Sequence, residues 1–443
     1  MQVVLDRMSD ALRCTPHFAS LLKVCSASET YLVGGALRDV LSGLPVTDLD
    51  LIFPQDPTSI AKSFARLVGG DWFWLDQDRQ QSRVVVNREK ACPHYDFALY
   101  RAPTLEQDLF DRDFTMNAMA LPLATTISAD SLIDPFGGLD DFRHDSLRMV
   151  NTSSFVNDPL RIIKGVRHAT ALNLQIESGT LGCMRTEVIG LDRVAPERIR
   201  QEVWKILSDR HAARGLKLFV ESGVGEQLFG AGFAENWRAL KERLENCHNR
   251  WRRLTEAYPV VRDWLQQDIE QGLNVETLLL FSFLLSAVEK NLPVRLSQMW
   301  KLSRKAAAGI EMVAALDAAV MHDFTSIACN QRAYAWWSRR FPSEPKPLLM
   351  ALAGHPQAGP ITATVEQMIP LVAGLEDQRP NDLVDGHWLR NTLCLEEGPE
   401  MTRALELLRN AEIYGEVNNR EDACRFLVGH YQNRIDNANF DTL

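Results

Sequence analysis

Apolar and polar positions change rhythm twice in the first 140 residues. Tyr31-Leu-Val33 is a short apolar run that ends in Gly34-Gly35, and Ala36–Leu41 follows in helical spacing until Gly43 and Pro45 stop it. That reads as strand, glycine turn, helix. Asp48 to Phe53, D-L-D-L-I-F, alternates with period two, the signature of a strand with one polar and one apolar face. Its apolar side, Leu49 and Leu51, should face a core. Asp56-Pro57 predicts a helix start, with Asp as cap and Pro at the first helical position, ending at Gly69-Gly70. Trp72–Leu75, Arg83–Asn87 and Tyr95–Tyr100 predict three further strands.

From about residue 155 the pattern is almost wholly helical. Asp158-Pro159 and Pro196-Glu197 open helices, the second running to about Leu207. Breaks fall near Pro293, Pro342–Pro347 and Pro356–Pro360, and Gly386 and Gly398-Pro399 punctuate the end. The expected fold is α+β: a small mixed-sheet head over 1–145, then an all-helical neck (146–215), body (216–370) and tail (371–443). No low-complexity segment or fixed-period repeat interrupts this order.

Composition narrows the class. At 443 residues, 46% hydrophobic and 24% charged, the chain can bury several cores and is not broadly disordered. The longest apolar run, Leu278 to Val288, is too short to span a bilayer, which needs ~20 residues. No membrane association is expected, and the charged N-terminus does not resemble a signal peptide. The eight cysteines include no C-x-x-C pair, so the expectation is buried free thiols in a reducing, cytoplasmic setting.

The net charge of −10 hides structure. Residues 1–150 carry 14 Lys/Arg against 21 Asp/Glu, residues 371–443 carry 7 against 14, but residues 161–217 carry 11 against 6. If a phosphate backbone binds anywhere, 161–217 is the best candidate. Solvated arginines on helices would produce the same count.

The most informative stretch is Gly34-Gly35-Ala36-Leu37-Arg38-Asp39 followed by Asp48-Leu49-Asp50. Adjacent glycines at a strand-to-helix turn let backbone N–H groups approach a ligand, and a helix N-terminus favours an anion such as a triphosphate. Asp48 and Asp50 leave one face of a strand together, and paired ionised carboxylates are hard ligands for Mg²⁺. Either feature alone is commonplace. Together they outline a nucleotide-plus-metal site.

Here the sequence resembles the class II tRNA nucleotidyltransferase and bacterial poly(A) polymerase family of the DNA polymerase β superfamily. The resemblance rests on Leu32-Val-Gly-Gly-Ala-Leu-Arg-Asp39, Asp48-Leu-Asp50, Leu109-Phe-Asp-Arg-Asp-Phe-Thr-Met-Asn-Ala118, Ile133-Asp-Pro-Phe-Gly-Gly138 and Asn157-Asp-Pro-Leu-Arg161, with Val194-Ala-Pro-Glu-Arg-Ile199 after them. It is strong over roughly 30–207 and thin beyond.

The resemblance implies a template-independent enzyme that adds CMP, AMP or both to the 3′ end of tRNA, with tRNA and CTP or ATP as partners. Asp48 and Asp50 would hold Mg²⁺, one ion activating the RNA 3′-hydroxyl and both stabilising the α-phosphate as pyrophosphate leaves. Gly34, Gly35 and Arg38 would hold the triphosphate. Arg112 and Asp113 would contact the ribose, with Asn117 beside them. Asp158 and Arg161, on one helix face, would imitate a base-pairing edge, with Lys164 one turn on. Capping and buttressing are the competing readings for Asp113, Asn117 and Asp158. Asp96 is either a third carboxylate or a solvent-facing strand residue, Asp134 a turn residue, and His322-Asp323 a helix-end feature.

Three departures from the family pattern stand out. Asp111 occupies a position that usually carries arginine, Asn157 replaces a glutamate, and Lys164 replaces an arginine, losing bidentate geometry. In addition, only seven residues separate Arg101 from Leu109, where family members that finish with A usually carry a longer segment. The short connection favours CC addition over complete CCA addition, A addition or poly(A) synthesis, provided that no segment elsewhere, such as Asp76–Ser82, substitutes for the missing one. Asp111 and Asn157 motivate the alternative of a non-catalytic RNA-binding descendant. Oligomeric state is open.

Overall fold

The computed structural model describes residues 2–86, 92–123, 131–375 and 380–438. The chain forms two compact units, 1–228 and 229–443.

The first unit is built on a six-stranded sheet. In chain order its strands are β1 (Tyr31–Val33), β2 (Asp48–Phe53), β3 (Asp71–Asp76), β4 (Gln81–Val85), β5 (His94–Leu99) and β6 (Ala120–Pro122). Their spatial order is β3-β4-β5-β2-β1-β6. β2 and β5 run parallel and the other neighbours antiparallel. The period-two reading of β2 holds: Leu49 and Leu51 are wholly buried, in one cluster with Tyr95, Phe97 and Phe64. Helices α1 (Gln2–Arg13), α2 (Phe18–Cys25), α3 (Gly35–Leu41) and α4 (Thr58–Val68) cover that face, contributing Leu12, Phe18, Leu21, Leu37 and Phe64. Each such side chain stabilises the fold by ~2 kcal/mol through burial, so one face of β2 is fixed in the core and its alternate residues must face the other way.

The opposite face carries a smaller cluster, Val33, Ile52, Leu109, Ala118 and Ala120. Above it lie α5 (Leu105–Phe110), the 3₁₀ turn Thr115–Asn117, α6 (Gly138–Arg143) and α7 (Ser154–Asn157). The unit continues through α8 (Leu160–Ala171), α9 (Ser178–Glu187), α10 (Pro196–Leu207) and α11 (Ala212–Ser222), with α10 opening on its proline as predicted. Asp134 is the turn residue expected of it, accepting from the N–H groups of Gly138 (2.7 Å) and Leu139 (2.8 Å).

The second unit is predominantly helical, from Trp237–Ala257 to Arg420–Ala438, with cores around Trp251, Phe281 and Leu349 and around Leu389, Leu408 and Leu427. His322 lies in the last turn of the helix Ala318–Thr325, and Asp323 accepts from Trp337 Nε1 (2.7 Å) and Arg340 (3.1 Å), a structural role. Among the described residues no helix is long and apolar enough to cross a membrane.

Several local expectations shift. The part expected to be all-helical also holds two two-stranded sheets, Ser146–Leu147 with Gln175–Ile176 and Asp268–Glu270 with Leu273–Asn274. The helix expected at Asp56-Pro57 starts at Thr58, because Asp56 accepts from the Thr58 N–H (2.8 Å) in a turn just ahead of it. β4 spans Gln81–Val85, and Asn87, expected at its end, lies outside the described residues. All eight cysteines are free, but only Cys25 and Cys247 are buried; Cys92, Cys183 and Cys424 are partly buried and Cys14, Cys329 and Cys394 exposed.

Candidate active site

The polar face of β2 presents Asp48 and Asp50, as the alternation required. Register then decides what stands beside them. Asp50 pairs across to Val33 on β1 and to Asp96 on β5, and Asp48 pairs to His94. Three carboxylates therefore share one patch of the sheet. Asp96 is buried and not solvent-facing, and it is held at both oxygens by Arg83 on β4, at 2.6 and 2.8 Å. Asp48 accepts from Thr47 (3.0 Å), lies 3.2 Å from His94 Nδ1 and 3.7 Å from Arg83.

Asp50 is the electrostatically costly member. Burial pushes its carboxyl above the ordinary aspartate range, and the charges of Asp96 and Asp48 push the same way, against the pull of Arg112 and Arg101. Two carboxylates carry the open oxygens, because Arg83 claims those of Asp96. Among the described residues no group of three or more His, Cys, Asp or Glu stands in metal-holding geometry. A pair of carboxylates still suits Mg²⁺, which typically keeps several waters and takes substrate phosphates for the rest of its shell. A cation there would also relieve the strain on Asp50.

The glycine turn closes against this patch. Gly34 sits between β1 and α3 at φ +75°, a conformation that side chains disfavour. A Cβ on Gly34 would lie 3.0 Å from Asp50 Oδ2 and 3.2 Å from Arg112 Nη1, and one on Gly35 would lie 3.2 Å from Arg38 Nη2. Two guanidinium groups thus flank two glycines, with the N-terminus of α3 behind them.

Each guanidinium is aimed by carboxylates and amides. Arg112 donates to the buried Asp108 one turn earlier (3.1 Å), and its Nε is buried with no partner. Arg38 donates to Asp39 (2.9 and 2.6 Å) and to Asn117 Oδ1 (2.9 Å). Asn117 in turn donates to Asp113 Oδ1 (3.0 Å), which also accepts from the Phe114 N–H (2.8 Å). Asp113 and Asn117 therefore form a chain of support that ends on Arg38.

The residues expected to read the base do not pair with each other. Asp158 is extended, at φ −143°, ahead of α8, and its carboxylate accepts from Arg198 (3.2 Å). Its oxygens make no helix-capping contact. Arg161 donates to the carbonyls of Asp111 (2.7 Å) and Arg112 (3.3 Å) and to Ser154 Oγ (2.9 Å). Lys164 is half-buried on the same helix.

Four residues of the site went unread in the sequence. Asp108 was detectable as a carboxylate on a helix four positions before Arg112, which follows the end of that helix. Arg83 alternates onto the polar face of its strand. Arg198 and His168 carried no local signal, since their partners lie 40 and 130 positions away.

The chain is similar to known proteins over most of its length. Residues 30–148 match the poly A polymerase head domain, and residues 173–232 match a domain described as the probable RNA and SrmB-binding site of polymerase A. The CC-adding tRNA nucleotidyltransferase of Geobacter sulfurreducens is 30% identical over 422 residues, 90% of this chain and 91% of that protein. The A-adding tRNA nucleotidyltransferase of Deinococcus radiodurans is 30% identical over 426 residues, 89% of this chain and 94% of that protein. A solved complex of a CCA-adding enzyme with CTP shares the fold at a TM-score of 0.72, with 19% identity, over 96% of this chain and 98% of that one.

Proposed function

We propose a specific reaction for this chain, which belongs to the tRNA nucleotidyltransferase family: untemplated addition of CMP, twice, to the 3′ end of tRNA in the cytoplasm, with release of pyrophosphate. The relatives do not separate CC from A addition, because both kinds are 30% identical over nine-tenths of the chain. The observation that carries the choice is the connection between β5 and α5. β5 ends at Leu99 and α5 begins at Leu105, capped by Thr104, and the Arg101 N–H is tied to Asp108 (2.8 Å). This leaves no room for the longer segment that the family resemblance associates with A addition. A second place, between β3 and β4, is a turn of residues 77–80.

In this reading Asp48 and Asp50 hold Mg²⁺, which when bound supplies positive charge for the α-phosphate and the attacking hydroxyl. Gly34 and Gly35 admit the triphosphate close to the backbone. Arg38 and Arg112 neutralise it, and Arg112, next to Asp50, also meets the ribose. Asp113 and Asn117 aim Arg38. Asp158, Arg161 and Lys164 form the wall toward the base, with Arg161 fixed by backbone carbonyls where the family's glutamate has become Asn157. The head of 1–145 and the neck of 146–215 both fall inside the first compact unit.

Incorporation of labelled CTP and ATP, on tRNA ending at the discriminator base and on tRNA ending in CC, tests the reading. Two CMP on the first and no AMP on the second is the expected result. AMP added once to the second overturns the argument from the short connection. Repeated AMP addition to any RNA indicates poly(A) synthesis, and no incorporation with retained tRNA binding indicates a non-catalytic descendant.

A further inference from the structure

His168 on α8 is buried and stands between two arginines. Its Nδ1 lies 3.3 Å from Arg38 Nη1, and its Nε2 lies 3.1 Å from Arg167 Nη2. A guanidinium can only donate. A neutral imidazole has one lone pair and one N–H, so only one of these contacts is a hydrogen bond in either tautomer. The ring does not escape by taking a second proton. Burial pushes its pKa well below the ordinary value, and Arg167, Arg38, Lys164 and Lys205 push it the same way.

Both arginines also hold a carboxylate: Arg167 donates to Glu202 at 2.6 Å, and Arg38 donates to Asp39 at 2.9 and 2.6 Å. Arg38 Nη1 donates to Asn117 Oδ1 (2.9 Å) and, with two N–H bonds, can donate to His168 Nδ1 as well. The tautomer that carries its proton on Nε2 gives the lone pair to Arg38. The ring also packs edge-on against Phe114, with centroids 6.1 Å apart, so its plane is set by the core.

We propose that His168 is a positioning residue for the triphosphate: its Nδ1 fixes the direction of the Arg38 guanidinium. This rests on the phosphate role proposed for Arg38.

The test is the inhibition constant of pyrophosphate and the KM for CTP, measured beside the KM for tRNA. His168→Phe keeps the ring and its packing but removes the lone pair. It should raise both the pyrophosphate Ki and the CTP KM about tenfold, as expected for one hydrogen bond to a charged group, and leave the tRNA KM unchanged. His168→Asn puts an amide oxygen where Nδ1 was and should recover most of the loss. His168→Gln reaches only the Nε2 side and should not, so this pair decides the matter even if the Phe variant fails to fold. Arg38→Gln is run beside them. If it raises the pyrophosphate Ki and neither His168→Phe nor His168→Gln does, the His168 proposal falls and the Arg38 reading stands. If Arg38→Gln leaves the Ki unchanged, both fall.

Discussion

Asp50 leaves no room for a side chain on Gly34: a Cβ on the glycine would stand 3.0 Å from the carboxylate Oδ2. The turn that admits the phosphates and the strand that carries the carboxylates are one packed unit, locked by the pairing of Val33 with Asp50. Gly34→Ala should therefore harm activity beyond its cost in stability. The positive φ alone costs of order 1–3 kcal/mol, and the methyl must also displace Asp50 or Arg112. Gly43 provides the control, with φ +67° and nothing within 4 Å of its Cβ position. Gly43→Ala should lower the melting temperature with kcat/KM within about twofold of wild type. Gly34→Ala should lower kcat/KM for CTP by about a hundredfold or more. Equal kinetic effects in the two variants would refute the contact argument.

Asp50 should cost the protein stability in return for its function. Its folded pKa is raised, by burial first and then by Asp96 and Asp48. The folded state thus binds that proton more tightly than the unfolded chain, so the penalty is absent where Asp50 is protonated and develops as pH rises through the folded value. In EDTA at pH 7, Asp50→Asn should melt a few degrees higher than wild type, and the gap should close as pH falls toward 4. Mg²⁺ should raise the melting temperature of wild type and not of the variant, whose nucleotide transfer should drop about a thousandfold or more. A lower melting temperature for Asp50→Asn across this range would contradict the assignment.

The legibility of this site in the sequence followed the range of each interaction. D-L-D-L-I-F placed Asp48 and Asp50 on one face, because strand period needs no partner. Pro196 placed α10 for the same reason. The placement of Asp158 and Arg161 on one helix face did not hold, because i,i+3 spacing puts residues together only inside a helix and Asp158 precedes the helix in extended conformation. Arg161 instead found carbonyls some fifty positions earlier, which only the fold supplies. Asp96 stayed ambiguous for want of strand register. Once β5 lies parallel to β2, Asp96 stands next to Asp50, and Arg83 follows from β4.

Arg161 and Asp158 should accordingly behave as different kinds of residue. Arg161→Ala removes donors to the carbonyls of Asp111 and Arg112, loosening the segment that presents Arg112. It should lower the melting temperature and raise the KM for CTP and ATP alike, about tenfold. Asp158→Ala leaves those bonds intact and releases Arg198, an exposed pair of little energetic weight. Its melting temperature should stay within a degree or two, while the preference for CTP over UTP and ATP narrows. Single-nucleotide incorporation series on both variants separate the cases. A loss of selectivity in Arg161→Ala with no change in stability would restore the base-reading pair.

The basic segment 161–217 should contribute fewer phosphate contacts than its eleven cations suggest. Arg167 and Lys205 are spent on Glu202, Arg198 on Asp158, Lys217 on Glu221, and Arg161, Arg185 and Arg214 on backbone carbonyls. Arg193 and Arg210 are exposed and have no ion pair or hydrogen bond among the described residues. Each phosphate neutralised by a cation adds about 0.7–0.9 to the slope of log affinity against log salt. Arg193→Gln and Arg210→Gln should each flatten the slope of tRNA binding by about one and weaken binding uniformly across tRNA sequences. Arg167→Gln should leave that slope unchanged and lower the melting temperature, because it strips a buried carboxylate of its partner. Titrations of tRNA binding between 50 and ~300 mM salt give the three slopes. A change of one unit in Arg167→Gln, with none in Arg193→Gln or Arg210→Gln, would show that the internal ion pairs open on RNA and that cations committed in the free protein are the ones that meet the phosphates.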